Sequence, residues 1–181
     1  MTATQLRDEA LMMLEGKGAI LDVARRASAI LEQSKNPGAI IGGVAVVLHG
    51  HLRTTADVDI YVPERAEEFA SSLRAAGFEF DPVEREFRFA GVPVHLVIPE
   101  QAPIAPAKIE HIDGVRTVSL PDLINLKLHS GTRSVARAQD LADVIGLIRR
   151  HQLTGEFARY IHKPLRNEFR KLVRAVKKES S

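Results

Sequence analysis

Two aspartates one residue apart, Asp57 and Asp59, close a stretch that opens on the glycine pair Gly42-Gly43 and continues into Ile60, Tyr61 and Val62. Aspartate is disfavoured in strands, so two of them around Val58 and beside Ile60 need a reason. Alternate residues of a strand share a face, which lets both carboxylates converge on one hard cation. Mg2+ is typically held by one or two carboxylates together with substrate phosphates. A glycine pair lets backbone N–H groups approach a phosphate with no Cβ in the way, and a helix starting there turns its positive end towards the anion. These residues therefore point to a metal–nucleotide site. Asp-x-Asp alone is common on surfaces, and Gly-Gly before a helix is often only a tight turn. It is the combination at this spacing that carries the reading.

The elements that must position these residues follow from periodicity and punctuation. Residues 6–33 read as helix in two segments, with Gly16 and Gly18 between them. After the turn Asn36-Pro37-Gly38, Ala39 to Ile41 reads as a short buried strand and Gly43 to His49 as a short helix. Val58 to Val62 reads as a second strand and Glu64 to Ala76 as a helix stopped by Gly77. Three short strands follow, at 78–80, 86–89 and 92–98, with Ala90-Gly91 turning the last two into a hairpin. Ile109 to Ile112 and Val115 to Val118 flank Asp113-Gly114, a second hairpin signal. Ser119 reads as the N-cap of a helix with Pro121 in its first turn. Further helices are expected at 136–151 and after Pro164. Helices, a mixed sheet and helices again make an α/β or α+β unit. The expected organisation is N-terminal helices at 1–36, a central domain at 37–152 and a basic helical extension at 153–181, in one compact unit.

Composition sets the outer bounds. At 181 residues the chain suits one domain, and 45% hydrophobic with 27% charged residues is ordinary for a globular protein. With no tryptophan and only 5% aromatics, the core must be mostly Leu, Ile, Val and Ala. The absence of cysteine excludes disulfides, thiolate metal sites and a cysteine nucleophile, and fits a reducing cytoplasm. No apolar run approaches the ~20 residues of a membrane helix. The net charge is only +2 but it is uneven. Between Arg159 and Lys178 eight cations face Glu168 alone, and Arg166, Arg170 and Arg174 recur on one helix face. That face reads either as an RNA-facing strip or as a solvated terminal helix.

Residues 41–62 resemble the signature of the nucleotidyltransferase superfamily, a Gly-Gly or Gly-Ser turn followed about a dozen residues later by Asp-x-Asp. The fuller form, with His49-Gly50 and Arg53-Thr54-Thr55 ahead of the aspartates, resembles the AbiEii-type branch, whose members include toxins of abortive-infection and toxin–antitoxin systems. A second block agrees: Asp122-Leu123, Lys127-Leu128, Arg133, and Asp140 with Asp143. The resemblance covers roughly residues 38 to 150. It implies a nucleotidyltransferase-like mixed β-sheet flanked by helices, with Mg2+ (or Mn2+) as cofactor and an NTP as substrate, from which NMP passes to RNA or another hydroxyl acceptor. Asp57 and Asp59 would hold the metal. Gly42, Gly43, Arg53 and Thr54 would bind nucleotide, Lys127 would meet a phosphate, and Asp140 would be a further polar residue of the site. An antitoxin protein would be a further partner, and no membrane is involved.

One position departs from the pattern. The superfamily places a third carboxylate on a later strand, and here Val94-His95-Leu96 puts His95 there. Imidazole is a poor Mg2+ ligand but suits Mn2+ or Zn2+ better, and it is a candidate general base with an ordinary pKa of about 6.5. The alternatives that this opens are a degenerate, non-catalytic nucleotide- or RNA-binding protein and a small-molecule (antibiotic) nucleotidyltransferase.

Overall fold

The structure, a computed structural model, describes residues 18–179 together with Asp8 and Met12. The helical reading of residues 6–18 lies largely outside the described residues. From there on the chain forms α1 (Ala19–Gln33), β1 (Ala39–Ile41), α2 (Gly42–Leu48), β2 (Val58–Tyr61), α3 (Ala66–Ala75), β3 (Glu79–Asp81), β4 (Glu86–Phe89) and β5 (Val92–Val97). It continues with β6 (Ile109–Ile112), β7 (Val115–Val118), α4 (Leu120–Gly131), α5 (Ala138–Arg150) and α6 (Arg166–Glu179), with short 3-10 turns on either side of α5.

The seven strands make one mixed sheet in the order β3-β4-β5-β2-β1-β7-β6. Both expected hairpins form, because Ala90-Gly91 and Asp113-Gly114 each take positive φ at both turn residues (49° and 79°, 51° and 77°). That backbone matches the right-handed twist of the flanking strands. At the centre, β2 runs antiparallel to β1 and parallel to β5.

Alternation sends each strand's residues to two different cores. Ile40, Val58, Ile60 and Val94 pack with α1 and α3, including Phe69 and Leu73. Ala39, Ile41, Tyr61 and Val118 pack with α4, α5 and α6, including Leu123, Leu147 and Phe169. Phe169 is fully buried, so it contributes about 1.5–3 kcal/mol to holding α6 in place. Asp59 is opposite Ile41 and two residues from Tyr61, so it faces the α4–α5 side. The site is thus built on that face of the sheet.

α4 begins where the sequence places it. Ser119 Oγ accepts from Asp122 N at 3.4 Å and donates to Asp122 Oδ2 at 2.7 Å, which caps the first turn.

Candidate metal and nucleotide site

Asp59 lies on β2 and His95 on β5, directly opposite one another in the parallel pair. Asp57 sits in the bend just before β2 rather than in the strand. It nevertheless joins them, because Thr55 Oγ1 donates to its Oδ1 at 3.0 Å. Asp57, Asp59 and His95 each offer one ligand atom, all within 4.8 Å of one another. His95 Nδ1 is 3.2 Å from Asp59 Oδ1 and 3.4 Å from Asp57 Oδ2. Two carboxylates and an imidazole converging in this way suit a divalent cation, so the donor set fits the metal that the resemblance implies.

The other ring nitrogen, Nε2, is 2.9 Å from Glu86 Oε2. Glu86 is buried on β4, and the Arg88 guanidinium lies against its second oxygen. Ringed by carboxylates, His95 has its pKa pushed up to about 9, first by the hydrogen bond to Asp59, against desolvation, and then by Glu86 and the Asp59 and Asp57 charges. In the metal-free protein the ring is therefore protonated at neutral pH. This lies above the ordinary imidazole value of about 6.5.

The glycine pair opens α2 behind the aspartates. Gly42 has φ +67°, and a Cβ there would overlap the Asp59 carboxylate. A Cβ on Gly43 would overlap Arg53 Nη1 and Thr55 Oγ1. Both positions therefore need glycine, for backbone conformation at the first and for close approach at both.

Arg53 and Lys127 meet in one buried charge network. Arg53 Nε is 3.0 Å from Asp143 Oδ1, and Lys127 Nζ is 2.7 Å from Asp140 Oδ1 and 2.8 Å from Asp143 Oδ2. Asp143 is fully buried, and Gln139 also donates to it, at 3.1 Å. Two cations and two carboxylates close the network at zero net charge. Arg53 Nη1 remains buried with no hydrogen-bond partner among the described residues. Thr54 is exposed; its neighbour Thr55 makes the contact to Asp57.

A cavity of about 250 Å³ lies between Asp59 and Gly42 on one side and Lys127 and Arg137 on the other, with Val97 and Leu126 among its apolar walls. The structure thus groups Gly42, Gly43, Arg53, Asp57, Asp59, His95, Lys127 and Asp140 on one face. Three contacts were not read from the sequence: Glu86 against His95, Thr55, next to the expected Thr54, against Asp57, and Asp143 between Arg53 and Lys127. A two-residue turn at Ala90-Gly91 pairs Phe89 with Val92 and Phe87 with Val94. One further step brings Glu86 opposite His95, so the hairpin signal contained the information.

No family model matches the sequence, and no curated protein does. Among solved structures, the fold is similar to an antigenic nucleotidyltransferase-like protein from Paracoccidioides brasiliensis (22% identity, 71% of this chain and 74% of that one, TM-score 0.53). It is also similar to ANT(2")-Ia in complex with adenylyl-2"-tobramycin (15% identity, 88% and 98%, TM-score 0.56). JHP933 from Helicobacter pylori is a third (15% identity, 99% and 94%, TM-score 0.55). At these identities the likeness speaks for architecture, and the seven-stranded mixed sheet with its flanking helices is a nucleotidyltransferase-like fold.

Proposed function

We propose that the protein is a metal-dependent nucleotidyltransferase that moves NMP from an NTP to a hydroxyl acceptor. The observation that carries this reading is the convergence of Asp57, Asp59 and His95 beside a glycine turn too tight for a side chain. Asp57 and Asp59 would hold the cation, with His95 in the third position. A bound divalent cation neutralises charge on the phosphoryl oxygens and orients the attacking hydroxyl.

The chain's own residues then have separate tasks. The missing Cβ atoms of Gly42 and Gly43 let Asp59, Arg53 and Thr55 close in on the turn that would face the phosphates. Arg53 Nη1, buried with no hydrogen-bond partner among the described residues, would gain one from a phosphate oxygen, which would favour binding because an unmet buried donor is costly. Lys127 is already held by two carboxylates, so it enters as part of a fixed, neutral platform. The acceptor oxygen bonds to the α-phosphorus as the bond to the bridging oxygen breaks, releasing pyrophosphate and a proton. Both ring nitrogens of His95 are engaged, Nδ1 by Asp59 and Nε2 by Glu86.

The acceptor we favour is RNA. Arg170 and Arg174 are exposed on α6. Arg166 is not part of that strip, since it donates to the Ile161 and Arg159 carbonyls at 2.9 and 3.1 Å. The cavity beside Asp59 is balanced in charge, Asp59 and Asp140 against Lys127 and Arg137, so a small-molecule acceptor is the second reading. A cytoplasmic toxin of the AbiEii-like type, held by an antitoxin, is the setting that the motif resemblance supports. Among the described residues no helix is long and apolar enough to cross a membrane.

The test is incubation with α-labelled NTPs, Mg2+ or Mn2+, and bulk RNA. Label should enter RNA, and transfer should vanish in Asp57→Ala. NTP binding with no transfer to RNA or to small hydroxyl acceptors would leave a degenerate binding protein instead.

A further inference from the structure

We infer that Glu86 is a positioning residue that buttresses His95 as a metal ligand, and that this makes the site prefer a borderline cation such as Mn2+ over Mg2+. The inference rests on the metal site proposed above and adds to it the ligand atom, the residue that aims it and the class of cation.

The geometry assigns the two ring nitrogens different roles. Nε2 is 2.9 Å from Glu86 Oε2, on a side chain that is 9% exposed and backed by Arg88. Nδ1 looks the other way, at 3.2 and 3.4 Å from the two aspartates. Ligands at right angles on a metal with bonds of roughly 2.1–2.2 Å are about 3 Å apart. Nδ1 is thus spaced from each aspartate oxygen as two neighbouring ligands on one small cation would be.

A histidine that ligates metal through one nitrogen almost always gives its other N–H to a carboxylate or carbonyl. That partner fixes tautomer and ring orientation, and losing it typically weakens metal binding about 10- to 100-fold. Glu86 supplies this partner from the neighbouring strand. Among the described residues its other charged contact is Arg88, so its burial has a reason beyond packing: a buried carboxylate needs partners, and His95 is one of them. With imidazole in place of a third carboxylate, the donor set loses one hard anionic oxygen and gains a nitrogen. That change favours Mn2+ and its softer neighbours, since Mg2+ prefers carboxylate and water oxygen.

The test is pulsed EPR of Mn2+ bound to the full chain, with affinity measured by titration and by Mg2+ competition. The expected result is one directly bound nitrogen in the wild type, lost in His95→Ala, and Mn2+ bound at least tenfold more tightly than Mg2+. Glu86→Gln should weaken Mn2+ binding about 10- to 100-fold, while Glu86→Asp should recover part of it. Mn2+ bound in the wild type with no nitrogen coupling would overturn the inference and leave the two-aspartate site standing. No Mn2+ binding at all would overturn both. Wild-type spectra decide the ligand question even if a variant fails to fold.

Discussion

Replacing Asp143 with asparagine keeps the size of the side chain and removes its charge. Asp143 is fully buried and serves Arg53, Lys127 and Gln139 together. With its charge gone, Arg53 and Lys127 are left with Asp140 alone, and the neutral network becomes a buried excess of one positive charge. Breaking a buried pair from one side costs about 3–5 kcal/mol, because the remaining charge stays desolvated. At an m-value of roughly 2–3 kcal/mol/M, the urea midpoint should fall by about 1–2.5 M. The same reasoning predicts a reversal: Arg53→Met added to Asp143→Asn removes both charges and leaves Lys127 paired with Asp140. The double variant should therefore be more stable than Asp143→Asn alone. Equilibrium urea unfolding followed by circular dichroism measures both. A loss below about 1 kcal/mol for the single variant, or a double variant as unstable as the sum of its parts, would refute the idea that this network is closed by charge balance.

Other outcomes follow from the same geometry. Gly42→Ala forces a Cβ at φ +67° into the Asp59 carboxylate; the backbone costs about 1–2 kcal/mol and the crowding about 1–3 kcal/mol, and calorimetry should show a lower Tm with weakened metal binding. His95 has a folded pKa of about 9 against 6.5 unfolded, so its contribution is fully present below about pH 6.5 and lost as pH rises through 9. Its side chain is 37% exposed, so solvent screening reduces the benefit to roughly 1–2 kcal/mol. Urea midpoints at pH 6 and pH 9.5 in a chelator should differ accordingly, and His95→Ala should flatten the difference. If RNA runs along α6, Arg170→Ala with Arg174→Ala should reduce the salt slope of RNA binding by about 0.7 per lost phosphate contact. Arg166→Ala should instead lower stability by about 1–3 kcal/mol, through its two carbonyl contacts.

Much of the fold was legible because turn chemistry is local. Asp113-Gly114 and Ala90-Gly91 fix their hairpins through backbone conformation, and Ser119 marks the start of α4, so these boundaries needed no tertiary information. The aspartate pair was legible because carboxylates among strand residues conflict with local preference. What could not be read directly was pairing across the sheet. The facing of Asp59 and His95 depends on β2 and β5 lying side by side, far apart in sequence. The raised pKa of His95 comes from that crowding of carboxylates and from Glu86. The holding of Lys127 between Asp140 and Asp143 depends on α4 and α5 packing face to face. Its helix position shows burial but not the partners. Arg166 shares its spacing with Arg170 and Arg174, and its two contacts to the carbonyls of Ile161 and Arg159 are not visible in that spacing.

We propose that Asp57, Asp59 and His95 form one centre that binds a metal together with a nucleoside triphosphate. Its most direct test is NTP affinity, measured by titration with Mn2+ and then with a chelator, in the wild type and in Asp59→Ala. Binding should depend on the divalent cation and be lost in the variant. NTP bound equally well in chelator, or undiminished in Asp59→Ala, would contradict it.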